Sequence, residues 1–272
     1  MSATHQGSPV ARLEQKTVVD LIGKGKRVDD RGPLDYRPTT IMLGVVEKAN
    51  GSAQVYLGKT KVLAGVKIQP GTPFADTPDE GILTVNAEFV PLASPTFEAG
   101  PPDENSIELA RVVDRGIRES KAIDLKKLCI EPGKKVFMVF VDVYILDHDG
   151  NLIDAAAMAA LGALVNAKMH AFRVENGEPV YLKEMIPVPM QNYPVSITTA
   201  KVDSVTVLDP CLEEEQVMSC RLTVTTGKDD NICAMQKGGG LGFLSPDEIK
   251  QIVSTSISKA KDLRAKILSN VK

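Results

Sequence analysis

The chain has no tryptophan, and phenylalanine and tyrosine together make up 4 % of its 272 residues. Its interior must therefore be filled by aliphatic side chains and alanine rather than by large rings. Three histidines, His5, His148 and His170, are too scattered to suggest a metal cage, and no Gly-x-Ser-x-Gly elbow offers a serine nucleophile. Cys129, Cys211, Cys220 and Cys233 form no Cys-x-x-Cys pair, which argues against a zinc or redox motif and predicts reduced, mostly buried thiols. There is no excess of basic charge either. The net charge is −3 and the pI about 5.7, so any contact with nucleic acid must come from a local patch. Long apolar runs are missing: the longest, Ala155 to Val165, is about half the roughly 20 residues of a membrane span. The N-terminal MSATHQGSPVARLEQK has no apolar signal segment. The expectation is a cytoplasmic chain without a membrane partner.

What is present is an ordinary globular balance, 43 % hydrophobic and 25 % charged residues, enough for one large core or two smaller ones. Residues 1–35 read as an N-terminal arm: polar, then a short apolar helical turn, then a charge-rich segment that docks on something. Residues 36–188 read as a first sheet-plus-helix lobe. In it SAQVYLG, KVLAGVKI and GILTVNAEFVPL suggest a meandering antiparallel sheet, with Gly58-Lys59-Thr60 as a hairpin turn. SIELARVVDRGIRESKAI has helical periodicity, with Leu109, Val112, Val113, Ile117 and Ile123 on one face. KVFMVFVDVYILD is a buried strand that turns at HDGN into the alanine-rich LIDAAAMAALGAL, with Asp154 as the expected N-cap. Residues 189–272 restart the pattern with three strands and a long terminal helix, opened by the capping box Ser245-Pro246-Asp247-Glu248. Both halves run from sheet to helix, so the architecture is α+β with two similar lobes.

Several tempting motifs fail. GSAQVYLGKT lacks the first glycine of a phosphate loop, and Gly238, Gly239, Gly240 and Gly242 have no ribose-binding acid at the required distance. Two clusters remain. At about 100° per residue, Arg111, Arg115 and Arg118 share one stripe opposite the apolar face. Such a stripe can track successive phosphates. The plainer reading is three helical ion pairs, Glu108–Arg111, Asp114–Arg118 and Arg115–Glu119. The run LDPCLEEEQ gathers Asp209, Glu213, Glu214 and Glu215, which is either a magnesium site built from hard oxygen ligands or a solvated acidic turn.

Taken together, KRVDDRGPLDYRP, GSAQVYLGKTKVLAGVK, GPPDENSIELARVVDRGIRESKAIDLKKLCIEPGK, VDVYILDHDGNLIDAAAMAALGAL and VDSVTVLDPCLEEEQ resemble, in order and spacing, the RNase PH family. Its members are 3′-to-5′ phosphorolytic exoribonucleases or their inactive ring partners. The chain is most similar to the non-catalytic RNase PH-like subunits of archaeal exosomes. The resemblance implies the RNase PH-type fold, also described as ribosomal protein S5 domain 2-like. Active members hold inorganic phosphate at the start of the helix after the Asp-Gly turn, on a Gly-Ser-Arg-like or Ser-Ser-Ser-like segment. The corresponding residues are expected to be Ala155, Ala156 and Ala157, which donate nothing from their side chains. The family's aspartates, six residues apart, correspond to Asp209 and Glu215. Arg221 falls where catalytic exosome subunits carry a further aspartate. By the same resemblance Arg111 and Arg115, with Arg118 on the same stripe, bind RNA for a neighbour's active site. The implied partners are a catalytic RNase PH-like subunit in an alternating hetero-hexamer, S1/KH-domain cap proteins and single-stranded RNA. No cofactor of its own is implied; inorganic phosphate and magnesium belong to the partner's site. Two other readings stay open here: an autonomous phosphorolytic exoribonuclease using Asp209 and Glu215, and a purely structural ring subunit.

Overall fold

The structure is a computed structural model that describes residues 9–175 and 178–270; His5 and the first eight residues of the arm lie outside it. The chain runs through α1 (Pro9–Gly23), β1 (Thr39–Leu43), β2 (Gly51–Leu57), β3 (Thr60–Gly71), β4 (Ile82–Phe89), α2 (Glu104–Glu119), β5 (Cys129–Glu131) and β6 (Lys135–Asp147). It continues with α3 (Leu152–Val165), the hairpin β7 (Lys168–Glu175) and β8 (Glu178–Pro187), then β9 (Val195–Val202), β10 (Val205–Leu208), α4 (Leu212–Val217), β11 (Cys220–Thr226), β12 (Ile232–Gly238) and α5 (Pro246–Ser269).

In the first lobe the strand order is β1-β2-β3-β6-β4, with β5 also on β6. Gly58, with φ +58°, opens the two-residue turn between β2 and β3. The antiparallel meander expected for three successive strands holds only for β2 and β3. β4 does not pair with β3; the long apolar β6 lies between them and runs parallel to β4. The physical reason is α2, which stands between β4 and β6 in the chain and makes the crossover that a parallel pair requires. The second lobe is a four-stranded antiparallel sheet, β10-β9-β11-β12. The β7–β8 hairpin has no counterpart among the sequence expectations.

Every residue of α3 from Ile153 to Leu164 is buried. An α-helix apolar on all sides belongs in the centre of a protein, and α3 lies between the two sheets. Its small side chains allow close packing: a Cβ on Gly51 of β2 would lie 2.3 Å from the carbonyl oxygen of Ala163. One hydrophobic cluster runs from Val55, Val141 and Ile145 through Ala156, Met158 and Leu161 to Ile197, Leu208, Leu263 and Ile267. The two lobes therefore share a core. The arm docks on its own chain, with Val18 and Ile22 of α1 packing on Ala200, Val202 and Val207. α5 carries the expected capping box: Ser245 N donates to Glu248 Oε2 and Glu248 N to Ser245 Oγ. Cys211 and Cys220 are buried, Cys129 and Cys233 partly so, and all four are free thiols. Among the described residues no helix is long and apolar enough to cross a membrane.

Candidate functional site

The site begins at the turn that joins β6 to α3. Gly150 (φ +82°) and Asn151 (φ +50°) both adopt the left-handed conformation, natural for glycine and tolerated by asparagine. A Cβ on Gly150 would sit 2.5 Å from the backbone carbon of Cys211, so the turn is pressed against the second lobe. Thr60 at the start of β3 fixes it from below, donating to Gly150 O at 2.8 Å and accepting from Asp149 N at 3.1 Å.

Asn151, not Asp154, caps α3. Its backbone N–H donates to Glu215 Oε1 at 2.9 Å, and its Nδ2 donates to Asp209 Oδ1 at 2.7 Å and Asp154 Oδ2 at 2.9 Å. The two acids six residues apart thus meet on one asparagine. Asp154 lies inside the first turn and ties the lobes together: its carboxylate accepts from Tyr36 Oη (2.6 Å), Thr198 N (2.9 Å) and Thr198 Oγ1 (2.7 Å). Burial pushes its pKa up to about 6 despite those donors.

This start displaces the expected phosphate position. The N–H groups left without helical partners belong to the first turn, Leu152, Ile153 and Asp154. Ala155 N already donates within the helix to Asn151 O at 3.3 Å. Ala155, Ala156 and Ala157 form the second turn and are 0 %, 0 % and 9 % exposed, packed in the core where no anion can reach them. The residues at the helix mouth are Asn151, Leu152 and Ile153. The last two present hydrocarbon to a cavity of about 270 Å³, also bordered by Glu215, Arg221, His148 and Phe97. The aromatic wall is a stack, with Phe97 between Phe89 (4.6 Å) and His148 (5.4 Å). Burial and then the nearby Arg37 hold the His148 pKa below its usual value.

Asp209 is fully buried and saturated. Its carboxylate accepts from Arg37 Nε (2.9 Å), Arg37 Nη2 (2.8 Å), Arg37 N (2.9 Å) and Arg31 Nη1 (3.1 Å), besides Asn151. Burial disfavours the Arg37 cation, but Asp209 more than offsets this and raises its pKa. Glu214 is held by Arg27 Nε at 2.8 Å and Nη2 in a buried ion pair. Arginines of KRVDDRGPLDYRP therefore occupy Asp209 and Glu214, two of the carboxylates the magnesium reading would draw on. Glu215 alone of the pair faces the cavity, and burial pushes its pKa up to about 7.

α2 flanks the cavity. Asp103 caps it by accepting from Ser106 N at 2.8 Å, and Leu109, Val112, Val113 and Ile117 are buried as expected. Of the three candidate ion pairs on the opposite face only Asp114–Arg118 forms. Arg118 gives Asp114 two hydrogen bonds (2.9 and 2.7 Å) and Leu83 O a third (2.8 Å). It fastens α2 to β4 with its charge offset by Asp114. Arg111 and Arg115 are exposed and have no ion pair or hydrogen bond among the described residues; Arg115 borders the β11–β12 hairpin. Glu108 pairs not with Arg111 but with Arg221 on β11, at 2.9 Å. Sequence reasoning missed Arg27, Arg31 and Arg37 as the partners of the acidic run; the available signal was three arginines in a segment otherwise docked on the chain.

The model of the 3′ exoribonuclease family (RNase PH) matches residues 35–170 with its first domain and 192–259 with its second. The chain belongs to the RNase PH family. Among curated relatives it is 51 % identical over 265 residues to the exosome complex component Rrp42 of Pyrococcus horikoshii, covering 97 % of this chain and 96 % of that one. It is 52 % identical over 254 residues to Rrp42 of Archaeoglobus fulgidus, covering 93 % and 95 %. A chain of an A. fulgidus exosome with RNA bound to the active site superposes with a TM-score of 0.88 at 50 % identity, covering 95 % of this chain and 99 % of that one. Rrp46 of rice (Oryza sativa) shares the fold at 19 % identity and a TM-score of 0.69, covering 90 % of this chain and 100 % of that one.

Proposed function

We propose that this chain is a non-catalytic subunit of an exosome ring. It supports a catalytic RNase PH-like partner and presents Arg111 and Arg115 to single-stranded RNA on its way to 3′-to-5′ phosphorolysis. The observation that carries this reading is the mouth of α3: at the start of the helix after the Asp-Gly turn, where active family members hold phosphate, this chain has Asn151, already bonded to three carboxylates, and the hydrocarbon side chains Leu152 and Ile153. A phosphate dianion held by backbone N–H groups beside Glu215, with no hydroxyl at the helix mouth and the one bordering guanidinium, Arg221, paired to Glu108, is poorly retained. Without a positioned phosphate there is no nucleophile to orient. Alternating subunits in a hetero-hexamer would form heterologous interfaces that close a ring, with S1/KH-domain proteins as caps and the cytoplasm as its place. Phosphate and magnesium would serve the partner's centre; this chain's own acids offer magnesium nothing free at Asp209.

The test is direct. The purified chain, incubated with phosphate, magnesium and end-labelled single-stranded RNA, is expected to leave the RNA intact, while the mixture with its catalytic partner shortens it and migrates as a hexamer. Processive shortening by the chain alone would refute the proposal and favour the autonomous enzyme. A purely structural subunit would leave RNA affinity unchanged when both arginines are replaced.

A further inference from the structure

Glu108 stands three residues before Arg111 on α2, the spacing at which a glutamate and an arginine on one helix attract each other. Left alone, Glu108 would compete with any phosphate for that guanidinium. It does not, because Arg221 reaches across from the second lobe and takes its carboxylate at 2.9 Å. The arrangement favours this partner over Arg111. The Arg221 side chain is 17 % exposed and that of Glu108 36 %, so their attraction is less screened than that of a helical pair in open water. Gly238 on β12 leaves the room: a Cβ there would lie 3.1 Å from Glu108 Oε1 and 3.5 Å from Arg221 Nε. The next acid along the helix, Asp114, is likewise spent on Arg118. Both carboxylates near Arg111 are thereby drawn away.

We propose that Arg221 is a positioning residue for RNA: by capturing Glu108 it keeps the Arg111 guanidinium uncompensated and open to a phosphate. The inference rests on the RNA-binding reading of α2. It also gives the cation at this strand position a use, since in the resemblance the place carries an aspartate in catalytic subunits. An aspartate there would repel Glu108 and release it toward Arg111.

The experiment uses the ring reconstituted with its catalytic partner and measures the anisotropy of fluorescein-labelled oligoadenylate without phosphate, so that nothing is degraded. Arg221→Met is expected to weaken binding about two- to threefold, the size of one exposed helical ion pair set against a phosphate contact. Glu108→Gln alone should bind at least as tightly as the unaltered ring, and the double variant E108Q/R221M should return to its affinity. Arg221→Lys, which keeps a cation near Glu108, should retain most of the affinity; melting temperature and hexamer formation identify any variant that fails to fold, and the lysine and glutamine variants then decide alone. If R221M loses affinity and E108Q does not restore it, Arg221 acts by touching RNA or by shaping the fold, and the proposal is overturned. It is also overturned if R221M binds as the unaltered ring does. The variant R111Q/R115Q tests the parent reading separately: unchanged affinity there removes the RNA role of α2 itself.

Discussion

If Arg111 and Arg115 each neutralise one RNA phosphate, replacing both by glutamine should change how binding responds to salt as well as how tight it is. Neither guanidinium has an ion partner among the described residues, so each can displace about one condensed counterion. For a single strand each phosphate contact contributes about −0.7 to the slope of log affinity against log salt, so two contacts contribute about −1.4. Between ~50 and ~200 mM KCl, a fourfold change, the affinity ratio of unaltered to doubly substituted ring should then shrink about sevenfold. Arg118 provides the internal control. Its charge is already matched by Asp114, so D114N/R118Q, which removes the pair together, should leave the slope unchanged while loosening α2 from Leu83. The assay is an anisotropy titration of the assembled ring at three salt concentrations, with phosphate omitted. Parallel slopes for unaltered and R111Q/R115Q rings would refute the reasoning, whatever the change in affinity at any one salt.

Stability offers further checks. Gly150→Ala should lower the melting temperature by several degrees, since the substitution both strains a left-handed turn and drives a Cβ into the backbone of Cys211; a cost of ~2 kcal/mol or more is expected. Arg37→Met should cost ~3–5 kcal/mol in urea unfolding because it leaves the buried Asp209 short of its main counter-ion. Asp154 and Glu215, raised to about 6 and about 7 from 3.8 and 4.5, bind protons more readily folded than unfolded. Their joint effect is therefore to lower stability as the pH rises from ~4 to ~7, by up to about 3 kcal/mol each. The double variant D154N/E215Q should flatten that part of the pH–stability curve; an unchanged curve would show that neither group titrates there.

Much of the fold was readable because it is decided locally. The β2–β3 hairpin follows from strands meeting at Gly58, the apolar face of α2 from periodicity, and the start of α5 from Ser245 and Glu248, which bond each other over three residues. β4 misled because hairpin logic ignored the helix that follows it; strand, helix, strand in succession was the signal for a parallel pair. The three alanines lie one turn further into the helix than a start at Asp154 implies. An alanine-rich segment announces a helix but not which residue is its first, and here that is set by Asn151, whose N–H is held by Glu215, 64 residues further on.

By itself the sequence determined most of the elements, though not the β7–β8 hairpin, together with the family and the stripe of arginines, since each depends on residues close in the chain or on a pattern spanning it. Only the tertiary structure decided which charges are free. Asp209 and Glu214 look available in LDPCLEEEQ, yet Arg27 and Arg31 of the arm and Arg37 just after it fold back and neutralise them. Arg111 looks bound to Glu108, yet Arg221 takes that partner from another sheet. Charge pairing acts through space at a few ångströms, and which groups come within that distance is settled by the packing of two lobes around α3.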